Sequence, residues 1–213
     1  MKYQELRNQL KNFVVFSLHD IRKLEPTFHR PSLNHWQEKG YIKKLRRGFY
    51  IFVDLVLNEE TLFLIANRLY SPSYVSLETA LSYYGLIPEG VYSLTSVSTK
   101  KTEIFKTPTA NFIYRSIKPS VYFGYRLAQQ SGQGYKIAEM EKAVLDYLYL
   151  NPRIIQEADF YEWRFNSQKF LAQANLTKLR DYAEAFGTKQ FVVRLEKLLE
   201  LMRKSTYAHP STH

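Results

Sequence analysis

From Lys39 to Val53 the chain carries no acidic residue, and within that window YIKKLRRGFYIF forms two β-prone runs joined around Arg46-Arg47-Gly48. Glycine after a basic pair supplies a turn, and the flanking Ile, Leu, Phe and Tyr suit a pleated surface, so a hairpin is expected here. An isolated two-stranded hairpin is marginal in water. It has to lie on something, and the nearest candidate is the segment just upstream, where Pro31 suits the first turn of a helix that ends at Gly40.

Two further helices are expected before it. Residues 3–12 place Tyr3, Leu6 and Leu10 on one helical face. Ser17 has Asp20 at the capping-box position and opens a short helix carrying Leu18, Ile21 and Leu24, which must stop before Pro26. Phe13–Phe16 suits a short strand leading into it. Three helices followed by a basic hairpin is the order of a winged helix-turn-helix, so residues 1–57 are expected to form a DNA-binding unit.

The chain has 213 residues, enough for that small unit and one medium one. Asn58 is placed to cap a helix with Glu59 and Glu60 at its positive end and Leu62, Ile65, Ala66 and Leu69 on its buried face; Ser71-Pro72 ends it. YVSLETALSYYGLIP then suggests a brief extended lead-in, a helix capped by Ser76 and a stop at Gly85. Residues 92–127 are rich in Ser, Thr, Val, Tyr and Phe, broken at Lys100-Lys101, Pro108 and Pro119, and predict three or four antiparallel strands. A helical period returns from Ile137 to Leu150 through Met140, Val144, Tyr147 and Leu148. Beyond Asn151 the pattern is all helical: Leu179, Tyr182, Ala183 and Phe186, then Phe191, Leu195, Leu198, Leu199 and Met202 recur on buried faces, and the last ten or so residues read as frayed. The expected fold class is α+β: a winged helix-turn-helix over 1–57, then a mixed helix and antiparallel-strand unit over 58–213 whose C-terminal region, 151–205, is helical.

Charge is unevenly placed. Residues 1–57 hold 11 basic and 5 acidic side chains, and the remaining 156 hold 19 and 15, so net positive charge per residue is about four times denser at the N-terminal end. That end is expected to meet a polyanion, although a basic surface can also serve solubility alone. There is no cysteine, which removes disulfides, thiolate metal sites and cysteine nucleophiles and suits a reducing compartment. The only apolar run near the start, Phe13 to Phe16, is too short for a signal sequence, and no later run approaches the length of a membrane span, so a cytoplasmic protein without membrane partners is expected.

On a helical wheel for residues 31–39, Leu33 and Trp36 share one side while Pro31, Asn34, His35 and Glu38 lie opposite, flanked by Ser32 and Lys39. The apolar pair should seat the helix, leaving Asn34 and His35 to face outward; Asn can make the paired donor and acceptor contact to adenine that the major groove permits. Arg30 and Ser32 at the helix N-terminus are expected to contact phosphate through free amides and the helix dipole. Lys43, Lys44, Arg46 and Arg47 add a basic hairpin able to follow a phosphate backbone, although lysines also protect edge strands in proteins that bind no DNA. Trp36 and Tyr50 read as core, and His29 and His35 as surface residues rather than metal ligands. No cofactor or metal is expected.

Catalytic patterns are lacking. Neither the Gly-Ser dipeptide nor the Asp-x-Asp pair that would hold magnesium in a nucleotidyltransferase occurs. In AEMEKAVLD, Glu141 and Lys142 are adjacent, so on a helix they diverge, whereas a metal-dependent nuclease needs its acid and lysine separated by one intervening residue. Gly132 and Gly134 in QSGQGYK form only Gly-x-Gly, which suits a loop rather than a phosphate cradle. Ser17, His19 and Asp20 are explained by helix capping, and a non-enzyme is expected.

The opening helices with RRGFYIF, then YVSLETALSYYGLIPEG, the strand-rich centre and YKIAEMEKAVLDYLYLNP together resemble the AbiEi-type antitoxins, transcriptional-regulator partners of nucleotidyltransferase toxins in type IV toxin–antitoxin systems. The resemblance covers roughly residues 10–152. It implies an N-terminal winged helix that represses its own operon at inverted repeats of double-stranded DNA, and a C-terminal domain that opposes the cognate toxin; a homodimer on paired half-sites would fit such repeats. The residues of the two central signatures read as structural in their own right: Ser76 caps, Ala80 and Leu81 pack, and Lys142 can pair with Asp146 four positions on. The residues leave open a stand-alone repressor with a ligand- or partner-sensing C-terminal domain, and a protein-interaction module that has lost DNA binding.

Overall fold

A computed structural model describes residues 1–88, 93–130, 132–154, 158–159 and 163–208. The protein is α+β, with two sheets among the described residues. The N-terminal part contains α1 (Tyr3–Gln9), β1 (Phe16–Ser17), α2 (Leu18–Leu24), α3 (Pro31–Glu38), β2 (Ile42–Arg46) and β3 (Phe49–Phe52). Its strands form a three-stranded antiparallel sheet in the order β1-β3-β2. The capping box at α2 is present: the Asp20 amide donates to Ser17 Oγ and the Ser17 amide to the Asp20 carboxylate.

Strand alternation decides how this sheet is buried. Successive side chains on a strand point to opposite faces. Tyr50 and Phe52 join Leu6, Leu10, Phe16, Leu33, Trp36 and Ile42 in a small local core. Ile51 points the other way and, with Val14, Val15 and Leu45, belongs to the large core of the remaining chain. The hairpin is therefore covered on both faces at β3. Its turn reaches solvent at Arg47, and Gly48 takes φ +87, a left-handed conformation in which a side chain would be strained.

Next come α4 (Glu59–Leu69), β4 (Ser73–Val75), α5 (Leu77–Tyr83), β5 (Ser93–Ser98), β6 (Glu103–Lys106), β7 (Asn111–Ser116), β8 (Tyr125–Gln130), β9 (Gln133–Ala138) and α6 (Met140–Leu150). Asn58 caps α4 by accepting from the Thr61 amide. The strands form one sheet in the order β6-β7-β5-β4-β9-β8. Within residues 92–127 this departs from the expected antiparallel set, because β5 pairs with β7 in parallel; β4 and β9, outside that stretch, also pair in parallel. Parallel pairs need crossovers, and the intervening β6 and helices provide them. Ile137 also lies in β9 rather than in the following helix, because the helical period begins only at Met140. Gly132 sits at the β8–β9 turn with φ +77, so the Gly-x-Gly there serves a hairpin.

Among the described residues, three helices follow: α7 (Ser167–Gln173), α8 (Leu176–Glu184) and α9 (Lys189–Ala208). The expected buried positions of this tail are borne out at Leu179, Ala183, Phe186, Phe191, Leu195, Leu198, Leu199 and Met202, all in the large core, with Tyr182 half-buried against it. The helix at 189–208 continues into the stretch expected to fray, and 209–213 lie outside the described residues. Arg194 fastens the tail to the end of α6 and the segment after it by donating to the carbonyls of Leu148, Asn151 and Ile154; the last carbonyls of a helix have no amide of their own helix to accept from. Among the described residues, no helix is long and apolar enough to cross a membrane.

Candidate nucleic-acid interface

The outward face of α3 is the candidate reading surface. Leu33 and Trp36 are buried at 1% and 6% exposure and seat the helix on the small core, where Trp36 packs against the rings of Tyr3 and Phe28. Asn34 and His35 are exposed on the opposite side with Pro31 and Glu38, and Lys39 is exposed just past the end. Ser32 is half-buried. The wheel drawn from sequence is borne out.

The N-terminus of α3 differs from expectation. Pro31 has no amide hydrogen, the Ser32 amide donates to His29 O at 3.0 Å and the Leu33 amide to Arg30 O at 3.0 Å. Amides already held by a preceding turn are not free to bind an anion. Arg30 is exposed and can still meet phosphate through its guanidinium, but the amides of Ser32 and Leu33 do not contribute.

The four basic hairpin residues also divide. Lys43 and Lys44 are both exposed on β2, an edge strand of the small sheet, and Arg47 is exposed at the turn. Arg46 is half-buried: its guanidinium lies 4.4 Å from the ring centre of Phe105 and 5.2 Å from that of Phe49. The cause is a register shift in β2 between Lys44 and Arg46, an irregularity that re-aims the side chains beyond it. Arg46 is thereby turned from the exposed edge toward β6 of the large sheet. Sequence gives no sign of this, because Phe105 is distant in the chain.

Behind the hairpin, one Arg68 nitrogen on α4 donates to both Asp20 carboxylate oxygens at 2.9 Å each, tying α2 to α4. Burial pushes the Asp20 carboxyl up, but the hydrogen bonds from Ser17 and Arg68 outweigh it and hold its pKa below the ordinary value. A second tie is Asn67, whose side-chain amide accepts from the Lys136 amide at 2.8 Å and donates to the carbonyls of Phe63 and Lys136. A third runs from Gln133 Nε2 to the carbonyl of Asn12.

The residues weighed for chemistry lie apart from this surface. Ser17 and Asp20 are engaged in capping. Glu141 accepts from the Asn175 amide while Lys142 points into the core, so the two diverge as adjacent helical residues must. Lys142 does pair with Asp146, as their four-residue spacing allows, and both are fully buried. Tyr74 OH accepts from Lys142 Nζ at 2.8 Å and donates to Asp146 Oδ2 at 2.9 Å, and Ser76 Oγ donates to the same oxygen at 2.8 Å. Ser76 stands at the N-cap position of α5 yet makes no side-chain cap, because its hydroxyl is committed to Asp146. Burial pushes Lys142 down and Asp146 up. With all four side chains at 0% exposure, no substrate reaches them. Among the described residues no group of three or more acidic or histidine side chains could hold a metal.

Comparison with models of known protein families gives no match, and no curated protein matches the chain.

Proposed function

We propose that this protein is a DNA-binding transcriptional regulator of the AbiEi-antitoxin type, whose residues 1–57 act as a winged helix-turn-helix with α3 in the major groove and the β2–β3 hairpin as the wing. The observation that carries the reading is α3 itself: Leu33 and Trp36 anchor it, and Asn34 and His35 face solvent beside Arg30 and Lys39 with no partner among the described residues to account for their polarity. Asn offers adenine a donor and an acceptor together, and Lys43, Lys44 and Arg47 supply phosphate contacts alongside. The unit is small and binds inverted repeats as a homodimer, one α3 in each half-site. Residues 58–213 supply the antitoxin activity against a nucleotidyltransferase-type toxin.

The test is a mobility-shift titration with a duplex from upstream of the chain's own reading frame and a scrambled duplex of equal length, each at several salt concentrations. Preference for the first, with affinity falling steeply as salt rises, is the expected result. Equal binding to both duplexes, or none, would sink the regulator reading. Growth of cells expressing a nucleotidyltransferase-type toxin, with and without this chain, tests the antitoxin half; absence of rescue leaves a repressor alone.

A further inference from the structure

An open cleft of about 440 Å3 lies where the small sheet meets the C-terminal end of α4 and the β5–β6 turn. Its lining brings together three cations from three separate elements: Arg46 from β2, Arg68 from α4 and Lys100 from the β5–β6 turn, with Ser17 and Tyr70 between them. No carboxylate lines it. Asp20 neutralises much of Arg68 from outside the lining. Arg46 and Lys100 have no carboxylate within ion-pair distance among the described residues, and each lies on aromatic rings, Arg46 on Phe49 and Phe105, Lys100 on Tyr70 at 5.4 Å.

Like charges gathered in a concave site raise the local potential and concentrate anions. The end of α4 opposes this with roughly half a negative charge. Two full positive charges without a carboxylate exceed it. Aromatic faces under both cations fix their positions without consuming their N–H donors, which leaves those donors for a ligand.

We propose that this cleft is a phosphate-binding site, taking the phosphate group of a ligand between Arg46, Lys100 and the free edge of Arg68. The guanidinium edges of Arg46 and Arg68 offer paired donors to phosphate oxygens and Lys100 adds a point charge. The phosphate comes either from a free phosphorylated small molecule or from a DNA backbone crossing the cleft. Bound there, it bridges the small sheet, α4 and the large sheet. The site stands independently of the regulator reading, but Arg46 belongs to the hairpin placed on DNA above, so occupancy also reports on how the two parts are held.

The probe is inorganic phosphate, titrated into the full chain at constant ionic strength against sodium chloride and sodium acetate, read by chemical shifts of the arginine side-chain N–H groups and by thermal midpoint. Phosphate should shift the side-chain signals of Arg46 and Arg68 saturably and raise the midpoint where chloride and acetate do not. Lys100→Gln and Arg46→Gln should each weaken phosphate binding by about tenfold, the loss of one charged hydrogen bond, while Lys189→Gln, on a different part of the surface, leaves it unchanged. Shifts that match the chloride control, or that persist in both cleft variants, would overturn the site. Lys100→Gln separates misfolding from lost binding, because Lys100 is exposed and its removal disturbs no core residue. The two phosphate sources are told apart with a duplex: a shallower salt dependence of DNA binding in Lys100→Gln assigns the site to the backbone, and an unchanged one assigns it to a small molecule. Both results rest on phosphate binding without DNA, so a chain that binds phosphate and no duplex fails as a regulator while keeping the site.

Discussion

The guanidinium of Arg46 rests 4.4 Å from the ring centre of Phe105, across the boundary between the small sheet and the large one. One of the four basic hairpin residues thus joins the two parts of the chain, whereas its neighbour Arg47 is exposed at the turn. Adjacent arginines of the same charge should therefore behave differently. Arg47→Ala is expected to weaken DNA binding and flatten its salt dependence by about one unit of slope, with no change in thermal midpoint. Arg46→Ala should also destabilise the fold, by about 0.5–2 kcal/mol for a partly desolvated cation on aromatic rings. Denaturant midpoints beside salt-dependent titrations separate the two; equal stability loss in both variants would contradict the placement.

On α3, Asn34 is exposed opposite the buried Leu33 and Trp36. If it reads a base, Asn34→Ala should lose roughly 1–3 kcal/mol of discrimination at one operator position while general affinity falls less. Binding of every single-base operator variant, ranked for wild type and mutant, is the measurement. Identical rankings would remove Asn34 from base readout.

The buried pair Lys142 and Asp146 should respond asymmetrically to substitution. Lys142→Met leaves a buried carboxylate without its counter-charge and is expected to cost about 3–5 kcal/mol. Adding Asp146→Asn removes the stranded charge and keeps a carbonyl oxygen for Tyr74 and Ser76, so the double variant should recover part of that loss. Urea unfolding of the single and double variants decides it: a double variant less stable than Lys142→Met would mean that charge is not the source of the cost.

Asp20 gives the fold a dependence on acid. Its folded pKa lies below the ordinary carboxylate value, so its contribution is complete above the unfolded pKa of about 3.9 and is lost as pH falls through the folded one. Thermal midpoints of wild type and Asp20→Asn should differ most near neutrality and converge below pH 4. A gap that stays constant with pH would show that the Arg68 contact acts without charge.

Gly124 takes φ +69, and a Cβ there would stand 2.9 Å from the Tyr182 ring and 3.0 Å from Lys142 Cγ. Both neighbours are held by hydrogen bonds, Tyr182 to Glu139 and Lys142 to Tyr74. Gly124→Ala is accordingly expected to lose about 1–3 kcal/mol from strain and crowding. Gly132→Ala, at a similar φ but with open space around its Cβ, should lose less in the same unfolding experiment.

The sequence by itself determined what acts over three or four residues. The Ser17–Asp20 capping box, the Asn58 cap, the division of α3 into buried and exposed faces, the turn at Gly48 and the buried face of the C-terminal helices all follow from local hydrogen bonding and from the fixed periods of helix and strand. Tertiary structure alone decided which distant elements meet. Antiparallel and parallel pairing use the same strand residues, so the β4–β9 and β5–β7 pairs were not legible in composition or spacing. Ser76 has the identity of a helix cap, yet the buried carboxylate of Asp146, 70 residues on, takes its hydroxyl, because leaving that charge short of donors in the core costs more than an uncapped helix end. Arg46 reads as a fourth exposed cation, but an irregularity in β2 and the nearness of Phe105 turn it inward. Local pattern states what a side chain can do; which of those options is used depends on the partner that packing brings within reach.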